Sequence, residues 1–248
     1  YLGVYTRFDA ASGLAVLEKA PLPKDVITLG VEGIRKIWHD KKMRGRGVTE
    51  DRAKTLVEAA HNSVGLDGGI GTKSELYMLL EEHRLWTSQL EAVNKVLEEM
   101  ILKVPHVEKL LAMKGVGSIT IAGFIAEVGD IRRFQSPKQI QKYAGLELVE
   151  NSSGKQKGKT RISKRGRRKL RKILYQVMVP LLAGNQEFRT IYDYYVTRVK
   201  NPLKRRQAMI AVSCKLIRVF YAVLTKGVDY DRFKMMSDIH HESEHIIA

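Results

Sequence analysis

Between residues 72 and 104 the apolar positions Leu76, Leu79, Trp86, Leu90, Val93, Leu97, Met100 and Val104 keep a three-four spacing, with His83 in the remaining place of the series. Glu81, Glu82, Glu91, Glu98 and Glu99 fall outside that stripe. Sustained over about four heptads, this periodicity predicts one long helix. Two readings of it stay open: a coiled coil joining copies of the chain, or an amphipathic helix packed on its own domain. Pro105 ends it in either case, because proline lacks the N–H that a helix interior needs. Upstream, residues 9–19, 24–42 and 49–63 read as shorter helices, with Pro23 near the start of the second and Thr49 capping the third ahead of Glu50 and Asp51. Strand-like alternation is nearly absent, so a mostly α fold is expected. Its predicted parts are a helical region over 1–71, closed by the Gly-rich "GLDGGIG", a coiled-coil connector over 72–104, a basic helical domain over 105–235 and a polar tail over 236–248.

Charge divides the chain unevenly. The net charge is +16, yet residues 1–104 hold fifteen Lys or Arg against fifteen Asp or Glu, and residues 105–248 hold twenty-eight against twelve. A field concentrated in this way attracts a polyanion, either nucleic acid or an anionic membrane face. No basic helix with an aromatic face favours the membrane, and no run of about eighteen apolar residues predicts a span. The lone Cys214 sits in "AMIAVSCKLIRVFYAVL", where it reads as a small buried hydrophobe in a reducing compartment. Tyr1 in place of an initiating methionine reads as a portion of a longer protein.

In "HVEKLLAMKGVGSITIAGFIAEVGDIRRF", apolar helical stretches flank the turn Gly115-Val116-Gly117. This resembles the helix-hairpin-helix motif of DNA-repair and recombination proteins. Glycines let the backbone approach a ligand, and the next helix starts with unpaired N–H groups at its positive dipole end. Such a turn holds phosphate without reading sequence. Further along, helices are expected over 167–182, kinked or ended by Pro180, and over 203–225, stopped by Lys226-Gly227.

The segment "ENSSGKQKGKTRISKRGRRKLRK" carries eleven Lys or Arg and no acid between Asn151 and Lys172. Its basic residues include Lys155, Lys157, Lys159, Arg161, Lys164, Arg165, Arg167 and Arg168. A serine hydroxyl attacks a phosphodiester only when cations stabilise the charge that builds on the phosphoryl oxygens, and Lys155, Arg161, Lys164 and Arg165 suit that role. A plain Ser-Gly turn in a phosphate-contacting loop is the other reading. The literal H-E-x-x-H of His241 to His245 has three residues after it and reads as tail, not zinc site. Glu127 with Asp130, and Glu147 with Glu150, read as surface or capping residues, so no metal site is expected in this chain.

Taken together, "KGVGSITIAGFIAEVGDIRRF", "QIQKYAGLELVENSSGK", "RISKRGRRKLRKIL" and "AVSCKLIRVFYAVLTKGVDYD" closely resemble the C-terminal transposase domain of the insertion-sequence family known as the DEDD or one-hundred-and-ten family. The resemblance covers residues 105–235, and "GVEGIRKIW" and "AAHNSVG" look like the middle region of its longer members. It implies a serine that attacks DNA, falling on Ser153 with Ser152 as runner-up, and a serine-lysine-arginine-glycine motif at Ser163, Lys164, Arg165 and Gly166. It also implies an RNase H-like half whose Asp-Glu-Asp-Asp set binds Mg2+, and in some members an element-encoded guide RNA. No strand-borne Asp, later Glu in an apolar setting or D-x-x-D set is recognisable here, so the acidic half is expected to lie outside this sequence. The expected partners are DNA and a second copy through 72–104, in a bacterial cytoplasm at the nucleoid. The competing expectation is a non-catalytic nucleic-acid-binding module.

Overall fold

The structure, a computed structural model, describes residues 3–45, 47–64, 69–149 and 161–237. Eleven α-helices, one 3-10 turn and one two-stranded antiparallel pair account for the regular structure of those residues. The chain divides into two compact units, residues 1–91 and 92–248, and the division falls inside one helix.

The first unit is built from α1 (Ala11–Leu17), α2 (Pro23–Asp40), α3 (Glu50–His61) and the opening turns of α4 (Gly69–Ile101). Thr49 caps α3 through its hydroxyl, which accepts from Arg52 N–H at 3.3 Å, as its sequence position predicts. Pro23 occupies the first turn of α2, where its missing N–H costs nothing. The helix is kinked at Gly30, which takes φ +63. Ile34, Trp38, Val16, Ala53 and Leu56 form the core, and the Trp38 indole donates to Ser12 O at 2.9 Å. Charged pairs tie α4 to this unit: Lys73 to Asp25 at 2.6 Å, and Arg84 to Glu18 at 2.7 Å.

The stripe of α4 is buried in part: Leu97 and, just past the helix, Val104 pack against the core of the second unit. Trp86, Leu90, Val93 and Met100 are each more than 60% exposed. The helix residues that are buried, Leu80 and Ile101, lie outside the stripe. The described residues of the chain therefore leave the middle of that stripe uncovered.

The second unit contains α5 (Val107–Leu111), α6 (Ser118–Val128), a 3-10 turn (Ile131–Arg133), α7 (Pro137–Tyr143), β1 (Leu148–Val149), β2 (Arg161–Ile162), α8 (Arg168–Gln176), α9 (Met178–Gly184), α10 (Gln186–Thr197) and α11 (Arg205–Lys226). The expected helix over 167–182 is two helices. Pro180 leaves the carbonyl of Gln176 without its usual donor, and the break falls at Val177. α11 is the axis of the core: Val212, Leu216, Ile217 and Phe220 are buried, and Phe220 meets Phe124 edge-on at 4.9 Å. Gly227 stops it in the left-handed region at φ +62, against the imidazole of His106. By length and composition α11 could cross a membrane, but its apolar residues are spent on this core. Burial pushes the Cys214 thiol up to about 11.

Candidate nucleic-acid interface

Residues 143–149 and 161–167 run past each other backbone to backbone. β1 and β2 pair antiparallel, Leu148 opposite Ile162 and Val149 opposite Arg161. The pairing continues as Ser163 N–H donates to Glu147 O at 2.8 Å, Lys164 N–H to Gly145 O at 3.0 Å and Arg167 N–H to Tyr143 O at 2.8 Å. The two chains come so close that neither side admits a Cβ at the crossing. One added to Gly166, at φ +130, would lie 2.3 Å from Tyr143 O, and one added to Gly145, at φ +71, 2.6 Å from Arg165 O. Arg171 adds a donor to Ala144 O at 2.7 Å. Gly166 thus serves the fold, and the residues around it are carried by a rigid crossing.

Residues 150–160 connect the two strands. Ser152, Ser153, Lys155, Lys157, Lys159 and Glu150 lie there, outside the described residues, as do His241 to His245. Of the other expected contacts, Arg161, Lys164, Arg165, Arg167 and Arg168 are all exposed, and Lys164 takes φ +56. Arg161, Lys164, Arg165 and Arg168 have no acidic partner among the described residues. α8 presents Arg168, Lys169 and Lys172 outward because Leu170 and Leu174 anchor its other side in the core. A cleft of about 400 Å³ opens beside them, with Leu146, Leu174 and Ile210 as floor and Lys164, Arg168 and Lys172 around it.

A cluster that motif reading passed over sits at the same crossing. Arg167 Nε donates to the Tyr143 hydroxyl at 2.8 Å, with its guanidinium 5.7 Å from the ring centroid. Arg133 lies 5.2 Å from that centroid and 4.8 Å from the ring of Phe134. The Arg167 hydrogen bond, then that of Arg133, holds the Tyr143 hydroxyl below the usual phenol range. Glu127 completes the group. Its Oε2 is buried without a hydrogen bond and stands 4.0 Å from Arg167 Nη1, too far to accept one. The reading of Glu127 as a surface residue is adjusted, since its side chain is partly buried with Oε2 covered; Asp130 does cap, accepting from Arg132 N–H at 3.0 Å. The signal available in sequence was the tyrosine of "KYAG" between two arginine clusters, but nothing local says that residues 24 positions apart meet.

The Gly115-Val116-Gly117 turn does join α5 to α6. Its glycines differ in use. A Cβ at Gly115, at φ +84, would lie 2.6 Å from Leu181 Cα, so this glycine admits the backbone of α9. Val116 is buried. Gly117 is exposed with open space where a Cβ would point, and it caps α6. At that helix start the Ser118 hydroxyl donates to the Glu98 carboxylate at 3.0 Å. Among the described residues no group of three or more His, Cys, Asp or Glu gathers as a metal site. No acidic set among them fits the Mg2+ that the resemblance implies for an acidic half.

Residues 107–193 match the family described as Transposase IS116/IS110/IS902 family. The chain is 25% identical over 193 residues to a probable family 20 transposase of Pseudomonas aeruginosa, covering 75% of this chain and 54% of that protein. It is 28% identical over 227 residues to the insertion element IS900 uncharacterized 42 kDa protein of Mycobacterium paratuberculosis, covering 91% and 55%. The pilin gene-inverting protein of Moraxella bovis is 28% identical over 155 residues, covering 60% and 47%. The chain spans about half the length of these relatives.

Proposed function

We propose that this chain is the DNA-handling portion of an insertion-sequence transposase, with residues 107–193 as its transposase domain. The observation that carries the reading is the crossing of residues 143–149 and 161–167. It brings a row of exposed arginines and lysines, unmatched by acids among the described residues, to the two ends of the 150–160 connection, within the segment that matches the family. A polyanion is the partner that such a surface fits. DNA is the one that the family name implies, and a guide RNA is a further partner of the same chemistry.

In this reading Ser153, with Ser152 as runner-up, is the nucleophile. Its Oγ bonds to phosphorus as the bond from phosphorus to a deoxyribose oxygen breaks, and the serine proton ends on the departing oxygen. Lys155, Arg161, Lys164 and Arg165 neutralise the phosphoryl oxygens, and Lys157, Lys159, Arg167 and Arg168 hold flanking phosphates. The α5–α6 turn contributes the N–H groups after Gly117 to the backbone contact of a helix-hairpin-helix. The uncovered stripe of α4 pairs with a second copy as a coiled coil. The Mg2+ that the resemblance implies would be held by an acidic half, and the assembly works in the bacterial cytoplasm at the nucleoid.

The test is trapping of a covalent protein–DNA adduct on a denaturing gel, using labelled duplex element ends, Mg2+ and the acidic segment. Ser153→Ala is expected to abolish the adduct and leave DNA affinity almost unchanged. An adduct that survives Ser153→Ala moves the role to Ser152 or elsewhere. Salt-dependent binding with no adduct from the unaltered chain leaves a non-catalytic nucleic-acid-binding module.

A further inference from the structure

We propose that Arg133, Tyr143 and Arg167 form a binding site for one phosphodiester group of a nucleic acid, apart from the residues of the 150–160 connection; this rests on the nucleic-acid reading above. Three elements build it. Arg133 closes the 3-10 turn, Tyr143 is the last residue of α7, and Arg167 immediately precedes α8. Each is fixed from behind. Phe134, next to Arg133, is buried, and its carbonyl accepts from the Tyr221 hydroxyl at 2.8 Å. The carbonyl of Tyr143 accepts from Arg167 N–H at 2.8 Å. The crossing of the two backbone segments therefore brings Tyr143 and Arg167 together, and the 3-10 turn ahead of α7 sets Arg133 over the Phe134 and Tyr143 rings.

The charges there do not balance. Two guanidinium groups act on one phenol oxygen, and like charges brought together repel. The carboxylate facing Arg167 is Glu127, whose Oε2 is 4.0 Å from Nη1, and Arg133 has no carboxylate partner among the described residues. Stacking on Phe134 and Tyr143 orients Arg133 without neutralising it. An anion seated between the guanidinium groups supplies the missing negative charge, and a phosphodiester offers oxygens that accept from both in a fork. Tyr143 adds a third donor. Its oxygen already accepts from Arg167 Nε, so its O–H proton is what it has left to give, and the two cations make that proton more acidic.

The experiment is equilibrium binding of a labelled duplex oligonucleotide over a salt series, for the unaltered chain and for Arg133→Gln, Tyr143→Phe and, as a single-charge control on α7, Lys138→Gln. Arg133→Gln is expected to lower the slope of log affinity against log salt by about 0.9, the share of one phosphate contact. Tyr143→Phe should weaken binding about tenfold with the slope unchanged, because it removes a charge-assisted hydrogen bond and no charge. Lys138→Gln should leave the slope alone. A slope for Arg133→Gln equal to that of the unaltered chain, in a variant that melts normally, overturns the site while binding itself stands. No salt-dependent binding by the unaltered chain overturns the nucleic-acid reading and the site with it. A second readout uses the unaltered chain and no binding by a variant: NMR of isotope-labelled tyrosine Cζ, with Tyr143 assigned from the signal lost in Tyr143→Phe. A bound phosphodiester opposes phenolate formation, so DNA should raise the pH at which Tyr143 ionises; an unmoved titration in saturating DNA overturns the site.

Discussion

The two units of this chain use charge in opposite ways. Residues 1–91 carry thirteen Lys or Arg and thirteen Asp or Glu, and residues 92–248 carry thirty against fourteen. In the first unit the cations are largely spent at home. Lys41 and Arg84 share Glu18, Lys73 holds Asp25, Arg35 and Lys54 share Glu50, and Arg52 donates to Val4 O at 2.9 Å. In the second unit the crossing holds Arg161, Lys164, Arg165 and Arg168 out to solvent with no acid to meet them among the described residues. What differs is the pairing: in the first unit the partners lie within the fold, and in the second these four cations have none among the described residues. Balanced pairs contribute modestly to stability, whereas an unmatched row costs self-repulsion and is repaid only on binding.

Removing the frame that holds the basic row should have the largest effect. Gly166→Ala places a Cβ 2.3 Å from the carbonyl oxygen of Tyr143 in a left-handed conformation, so the two backbones must part. A loss of more than about 2 kcal/mol from the second unit is expected in denaturant unfolding, and DNA affinity should fall with it. Gly117→Ala is the counterpart in open space at φ −96, and should cost less than about 1 kcal/mol. Equal losses at the two positions would break the view that the crossing needs its glycine.

Charge removal sharpens the same contrast. The double change Arg165→Gln with Arg168→Gln should lower the salt slope of DNA binding by about 1.8, two phosphate contacts' worth, with little effect on melting. Arg35→Gln with Lys54→Gln in the first unit should leave the slope unchanged. A similar drop from both pairs would mean that binding senses net charge and not this surface.

The smallest effect belongs to Glu18. Burial raises its pKa, but hydrogen bonds from Lys41 and Arg84 outweigh that and hold the carboxyl below its usual range. A lowered folded value means that its contribution is present above the unfolded value of about 4.3 and is lost as pH falls through the folded one. Glu18→Gln should therefore destabilise the first unit by about 1 kcal/mol at neutral pH, with the difference fading as pH falls through the folded value. A difference that persists in acid would show that the side chain acts by packing, not by charge.

Much of the fold was legible because its signals are local. Thr49 caps α3, Pro23 opens α2, Gly227 stops α11, and Pro105 lies just past α4, each for a reason contained within a turn of chain. The expectation for Pro180 needed adjustment, since the break lands three residues earlier, where its missing donor is felt. The basic row was legible as composition. Its architecture was not: that Gly145 and Gly166 cross, that Gly115 makes room for α9, and that Glu127 Oε2 is covered depend on residues far apart in sequence.

What the sequence by itself determined is the helical content, the element ends and the imbalance of charge between the two parts, because periodicity, capping and charge are local or additive. What only the tertiary structure decided is which of those charges stand together. Tyr143 and Arg167 become neighbours through the crossing of 143–149 with 161–167, Arg133 joins them from the 3-10 turn, and in α4 it is Leu80 and Ile101 that are buried while Trp86, Leu90 and Val93 of the stripe stay exposed. Contacts of that kind arise from packing and close backbone approach, which no single stretch of chain specifies.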